Sequence, residues 1–380
     1  MKNSSRFSQQ LLTEKLNASE RLDLLERVRL AESAVQKTTL SQYLTECHYT
    51  LSLALTMAAP SALSRGLTRI DGRLYPQRLR KWDFDCQTEH LDVIRRVCGA
   101  RSLFSPTIHL SYLAKSLVYN LRDEQMVRLF DRVAVVDRVQ AILDVLAADE
   151  AVRRKYKFSQ LVVQDFDPRV PGSLTRSRIP DSRYVRTARD GRSRSLALIY
   201  EYKAAHKLST THLQVALANK NLFREVLKRW PAESSTRVDG TKTLADAENI
   251  IAMSLVQTYD YMVRAGVSYG YVSSGRAIIF LYVPPYDLGT LYCHGSIPSH
   301  DVHDARHSQQ DGGFLNGGLG QTSVAKLASF CLLSLTTPVV QGDELRARLA
   351  WIESGGMSNV LESTKEEHRR IHGLKMMSSE

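Results

Sequence analysis

Nowhere among the 380 residues do two cysteines stand as CxxC; the five are scattered at positions 47, 86, 98, 293 and 331. An odd, dispersed set argues against a zinc ribbon and a disulfide framework, and for reduced thiols in an intracellular setting. No uninterrupted apolar run reaches the length of a membrane span. The longest stretches, near 51–63 and 324–340, are broken by Ser, Thr, Lys or Pro. Residues 1–25 are polar and charged, unlike a secretory signal. Neither G-x-S-x-G nor G-x-x-x-x-G-K-[ST] occurs, which removes the nucleophile elbow and the P-loop. Cys47 and His48 are neighbours on a helical stretch, so they predict no catalytic dyad.

What is present is ordinary in bulk and uneven in charge. A hydrophobic share of 43% and a charged share of 24% are those of a soluble globular protein, long enough to bury a real core. The formal charge is +11, which favours an anionic partner. Residues 152–207 carry 14 Lys or Arg against 5 Asp or Glu. Such a segment is either a solvated basic loop or a contact for a phosphate backbone. Basic charge and reduced thiols together suggest an intracellular protein, nuclear or cytoplasmic, with the nucleus favoured.

Periodicity orders the chain. Residues 8–38 predict a surface helix or a short helical hairpin with Glu/Arg/Lys pairs at i,i+4, and about 40–58 a second helix. Pro60, Gly66, Asp71-Gly72 and Pro76 mark a turn-rich segment, with short strands around 67–75. A helix is expected at 86–99, and a long amphipathic one over 127–155. The period then changes. Leu161-Val162-Val163 and Tyr184-Val185 read as strands, Asp190-Gly191 as a hairpin turn, and Leu196–Tyr200 as a buried strand. Helices follow at about 209–229 and at 244–265, the second closed by Gly266. Strands are expected at 268–273, 276–283 and 290–294, a Gly- and His-rich loop at 295–320, and a helix at 321–336. The fold class is α/β, a mixed sheet covered by helices. The domains predicted are a mainly helical N-terminal region (1–126), a core (127–340), and a C-terminal helix with a loose tail (341–380).

The segment that carries chemistry is Ile199-Tyr200-Glu201-Tyr202-Lys203. In a strand Glu201 and Lys203 share one face, and Tyr200 and Tyr202 the other. Two buried charges at the end of an apolar strand cost several kcal/mol unless partners compensate. Across the Asp190-Gly191 turn, Pro180-Asp181 lies about as far from the turn as Glu201, so Asp181 can meet it. Two carboxylates beside an ammonium suit Mg²⁺ or Mn²⁺ with water and a phosphate oxygen. The lysine would orient the attacking water or stabilise developing charge. Gln257 and Tyr261 share one face of the following helix, a spacing that ordinary packing also explains.

Taken together, Pro180-Asp181, Glu201-Tyr202-Lys203 and Gln257-x3-Tyr261 resemble the signature of the PD-(D/E)XK nuclease superfamily, the last pair looking like the QxxxY motif of its RecB-like branch. The stretches IYEYKAAHKLS (199–209), QTYDYMVRAGVSYGYVSSGRAIIFLYV (257–283), TSVAKLASFCLLSL (322–335) and the region 38–85 are similar to uncharacterised filamentous-fungal proteins with a PD-(D/E)XK nuclease-like domain. Some of these are fused to a kinase-like domain, and no such portion is recognised here. The resemblance covers roughly 38–355. It implies a restriction-endonuclease-like core, Asp181 and Glu201 as ligands of Mg²⁺ or Mn²⁺, Lys203 beside the water, and Gln257 and Tyr261 in support. A further helix-borne acid is implied too, with Asp144, Asp149 and Glu150 as equal candidates. Ala205 stands where the family tends to have Pro, a change of rigidity rather than chemistry. Arg183, Arg186 and Lys207 are the expected contacts to DNA or RNA.

Two other readings compete. The same fold can serve as a non-catalytic module that binds nucleic acid or protein, or as a structural domain whose basic segment meets acidic partners. His300, His303 and His307 with Asp301 and Asp304 offer a weaker metal reading, disfavoured against a solvated loop. Gly312-Gly313 and Gly317-Gly318-Leu319-Gly320 read as a flexible connection rather than a phosphate cradle.

Overall fold

The switch from helical to strand periodicity after residue 155 marks a real boundary in the computed structural model. It describes residues 20–57, 72–84, 86–117, 120–165, 180–208, 210–229, 244–307 and 318–356. In chain order the first part supplies α1 (20–35), α2 (Leu40–Glu46), β1 (Thr56–Met57), β2 (Arg78–Lys81), α3 (Cys86–Cys98), α4 (Thr107–Ser116) and β3 (Asn120–Leu121). Then come α5 (Glu124–Asp131), α6 (Asp137–Ala148), α7 (Glu150–Tyr156), β4 (Phe158–Asp165), β5 (Ser182–Ala188) and β6 (Arg194–Tyr202). Helices α8 (Thr210–Ala218), α9 (Leu222–Arg229) and α10 (Leu244–Ala265) lead to β7 (Tyr269–Ser273), β8 (Ile278–Tyr282) and β9 (Thr290–Ser296). The last elements are α11 (Pro298–His307), α12 (Ser323–Ser334) and α13 (Gly342–Trp351).

Seven strands form one mixed sheet in the order β2-β9-β8-β7-β6-β5-β4, and β1 pairs with β3 apart from it. Four of the six pairings are antiparallel; β6 with β7 and β2 with β9 are parallel. The parallel pair β6–β7 needs a crossover, which α8 to α10 provide, whereas β5 and β6 close as a hairpin. That hairpin turns at Asp190-Gly191 as its sequence predicts. Gly191 takes φ +73°, and Asp190 Oδ1 accepts the N–H groups of Arg192 and Ser193. This is an endonuclease-like topology.

Helices cover both faces of the sheet. On one face Tyr200, Tyr202, Tyr271 and Phe280 pack with α2, α3, α6 and α12. On the other, Ile199, Val272, Ile279 and Leu281 pack with α8, α9 and α10. From Leu198 onward the alternation in β6 is therefore the one read from the sequence, Ile199 in one core and Leu198, Tyr200 and Tyr202 in the other. The first core joins residues on both sides of position 126, and β2 forms an edge of the sheet, so the N-terminal region is built into it. Four cysteines (47, 98, 293 and 331) are free and buried. No described helix is long and apolar enough to cross a membrane.

Several expected elements are subdivided, each for a local reason. The 127–155 helix contains a π turn at Arg132–Val136 and breaks at Asp149, whose extended backbone and side chain cap α7. The 209–229 helix breaks at Asn219, whose side chain accepts Asn221 N–H in place of helical continuation. Within the expected 295–320 loop, residues Pro298–His307 form α11, a correction. Pro298 suits the first helical position, Val302 is buried, and Asp301 is tied to α12 by Lys326 at 2.6 Å. The segment 308–317, the start of the 8–38 helix, most of the 67–75 strand reading and the tail after 356 lie outside the described residues.

The end of α10 shows how tightly one backbone turn is specified. Gly266 takes φ +67°, with its N–H on Val263 O and Val267 N–H on Met262 O, a Schellman closure. A Cβ there would stand 2.1 Å from Val340 O. Gly266→Ala is therefore expected to destabilise the protein by more than about 2 kcal/mol, the left-handed penalty plus a clash with backbone. Urea denaturation would show this as a lower midpoint with an unchanged slope. An unchanged midpoint would contradict it.

Candidate active site at the end of strand β6

Five residues singled out in the sequence meet where β6 leaves the sheet. Glu201 and Lys203 lie on the α10 side of β6, 1% and 3% exposed, with Lys203 Nζ 3.6 Å from Glu201 Oε2. The hairpin returns Asp181 to the same place. Its backbone N–H donates to Glu201 Oε1 at 3.1 Å, and its Oδ2 accepts Tyr202 N–H at 2.8 Å. Lys203 N–H donates to Ser273 O at 2.9 Å, so the parallel partner β7 holds the strand end. From α10, Gln257 Oε1 accepts a hydrogen bond from Lys203 Nζ at 2.9 Å, and Gln257 Nε2 donates to Tyr261 Oη at 3.3 Å. Asp181 and Gln257 are half-buried, so the cluster opens on their side.

Burial sets the electrostatics. It pushes the Glu201 carboxyl up to about 8, reinforced by the neighbouring Asp181 charge and opposed by Lys203. The Asp181 carboxyl is also raised, mainly by burial, while the Tyr202 N–H and Lys203 act against the rise. A buried carboxyl raised by the charge of its neighbour, with one ammonium beside it, is poised to gain from a further cation. Among the described residues no group of three or more His, Cys, Asp or Glu is gathered tightly enough to cage an ion. A two-carboxylate set is nonetheless what Mg²⁺ takes when water and phosphate complete its shell. The donors are hard oxygens, and each carboxylate spends only part of its accepting capacity on backbone. The residues fit such an ion.

Two further residues were missed by sequence reasoning. Glu124, the first residue of α5, lies close enough to Asp181 for its charge to raise that carboxyl, and it pairs with Lys207 at 3.2 Å. Asp123-Glu124 is legible as a helix start, but nothing in the sequence says what that start faces. The three acids considered for the helix-borne role are engaged elsewhere. Asp144 accepts from Gln140, Asp149 caps α7, and Glu150 pairs with Arg153, Arg154 and Arg189. Arg73 is the second missed residue. Its Nη2 donates to Tyr261 Oη at 3.2 Å and its Nη1 to Asp260 Oδ2 at 3.3 Å.

The expected phosphate contacts are placed less uniformly. Arg183 is 9% exposed, Arg186 is half-buried with Nε on Ser195 Oγ, and Lys207 turns toward Glu124. On α11, His303 and Asp304 are exposed on the helix surface, and Asp301 is spent on Lys326 and Ser296.

The sheet order, the hairpin and the acid-lysine cluster together define an α/β domain of endonuclease-like topology. The chain belongs to the Spore killer 2 N-terminal domain family, whose model matches residues 39–165 and 173–355. It is similar to the meiotic driver SPOK2 of Podospora anserina, 33% identical over 353 residues, covering 83% of this chain and 45% of that protein. The chain thus spans less than half of that relative's length. No solved structure matches it.

Proposed function

We propose that this domain hydrolyses phosphodiester bonds of nucleic acid with the help of Mg²⁺ or Mn²⁺. The observation that carries the reading is the convergence of Asp181, Glu201 and Lys203 at one strand end, with Gln257 holding the lysine. Asp181 and Glu201 would hold the ion through carboxylate oxygens, with Glu124 at the rim of the site. The ion, when bound, acidifies a water and polarises the phosphate. Lys203 cannot swing freely, because Gln257 and Glu201 hold its ammonium. It is thereby kept where negative charge develops on the attacked phosphate. Tyr200 and Tyr202 take no part, since they face the opposite core. The formal charge of +11 supports a polyanionic substrate. The RecB-like character of the Gln257/Tyr261 pair belongs to this proposal, as does a driver setting like that named for the relative.

The test is incubation of the purified chain with single- and double-stranded DNA and RNA in Mg²⁺, Mn²⁺ or EDTA. Cutting that requires the metal is expected. Salt-sensitive binding with no cutting on any substrate would instead favour a non-catalytic nucleic-acid module.

A further inference from the structure

Arg73 lies outside the predicted core, in the turn-rich segment whose sequence suggests short strands around 67–75. It is 8% exposed and its guanidinium stacks over the Tyr261 ring, with Cζ 4.7 Å from the centroid. One arm of its fork, Nη1, is held by Asp260, itself fully buried, which also accepts Leu74 N–H at 3.0 Å and Arg264 Nε at 2.8 Å. So rigid an anchor fixes the guanidinium relative to α10.

The consequence lies in the proton inventory around Tyr261. Lys203 Nζ has only protons to offer, so Gln257 must turn its carbonyl oxygen to the lysine and its NH₂ to Tyr261. Arg73 Nη2 likewise has only protons to offer. The Tyr261 oxygen therefore accepts from both, and its own hydroxyl proton is left to give away. Gln257 bonds both Lys203 and Tyr261, so that proton lies beside the carboxylate-lysine cluster, near enough for the Glu201 charge to bear on the phenol.

We propose that Arg73 is a positioning residue of this site: together with Gln257 it makes the Tyr261 oxygen an acceptor and so aims the Tyr261 hydroxyl proton at a phosphate oxygen held near Lys203. The identity of that oxygen rests on the phosphodiester reading; the effect of Arg73 on Tyr261 does not. The N-terminal region thereby completes the site instead of merely covering it.

The experiment uses the full chain with tyrosines ¹³C-labelled at Cζ, as wild type, Arg73→Met, Arg73→Lys, Tyr261→Phe and the Arg73→Met/Tyr261→Phe pair. The Tyr261 resonance is assigned by its absence in Tyr261→Phe. Arg73→Met is expected to move it, and Arg73→Lys, which keeps the charge on Asp260 but loses the fork, to move it less. Should Arg73→Met fail to fold, Arg73→Lys carries this arm. A resonance unmoved in the folded Arg73 variants overturns the proposal. In cleavage, Arg73→Met is expected to lower kcat by about ten- to a hundredfold with KM little changed. It should cost nothing further when Tyr261 is already Phe; an additive loss would mean that Arg73 acts otherwise than through Tyr261, and overturns it too. If wild type cuts nothing, the phosphodiester reading falls, while the resonance still decides the role of Arg73.

Discussion

Lys203→Ala is expected to lower metal-dependent cleavage by about 10²–10³-fold, the cost of removing one fixed stabiliser of developing charge. Glu201→Gln is expected to lower it at least as far, because it removes one of the two carboxylates that would hold the metal. The two variants should part in a second measurement. Titration with Mn²⁺ should show binding retained in Lys203→Ala and weakened in Glu201→Gln. The lysine is expected to be an electrostatic group and the glutamate a ligand. Both positions are buried, and removing one member of a buried pair commonly costs about 3–5 kcal/mol. Here the penalty for losing Lys203 is eased, since burial already favours protonation of Glu201 near neutral pH. Thermal melting would establish that both variants are folded before their rates are compared. Cleavage at the wild-type rate in either folded variant would remove that residue from the mechanism. Equal loss of Mn²⁺ binding in both would remove the division of roles.

Asp131→Asn is expected to stabilise the protein at pH 8. Asp131 ends α5, is 1% exposed, and its Oδ2 has no hydrogen-bond partner among the described groups. It hydrogen-bonds Ser273, and its charge bears on the buried phenols of Tyr184, Tyr200, Tyr202 and Tyr271. Burial pushes its carboxyl from 3.8 up to about 7. Between those values the folded protein holds a proton that the unfolded chain has released, so stability falls as pH rises through the window. The fall amounts to something on the order of 4 kcal/mol when the shift is fully expressed. Asn imitates the neutral acid in shape and in hydrogen bonding to Ser273. Wild type and variant should therefore match near pH 3.5 and diverge up to pH 8, with the variant the more stable. Parallel stability curves across that range, measured by urea unfolding, would contradict the assignment. The oxygen of Ser273 carries Lys203 N–H, so the buried acid and the lysine brace the same strand end from opposite faces of the sheet.

The clustering of residues at the end of β6 was more legible than the architecture around it. Glu201 and Lys203 share a face because a strand alternates, and the β5–β6 hairpin returns Asp181 because Asp190-Gly191 favours a tight turn. The Gln257/Tyr261 pair is legible for a similar reason, since a helix repeats nearly every four residues. The elements misread were those whose conformation depends on distant partners. Helix α11 has a polar sequence that favours a loop on local grounds, and becomes helical where Val302 is buried and Asp301 reaches Lys326. Strand β2 hides in a turn-rich segment, and has a strand's hydrogen bonds only because β9 lies beside it.

The sequence by itself determined the period of each segment, the turn at Asp190-Gly191, the closure at Gly266, and the residue types gathered at the end of β6. Those properties depend on backbone conformation and neighbours a few positions away. Only the tertiary structure decided that Arg73 reaches Tyr261, that Glu124 faces Asp181, and that Asp131 sits unsolvated behind the strand. Each of these joins residues far apart in the chain, and its energetics depend on burial and on partners from other elements. Local pattern carries no record of either.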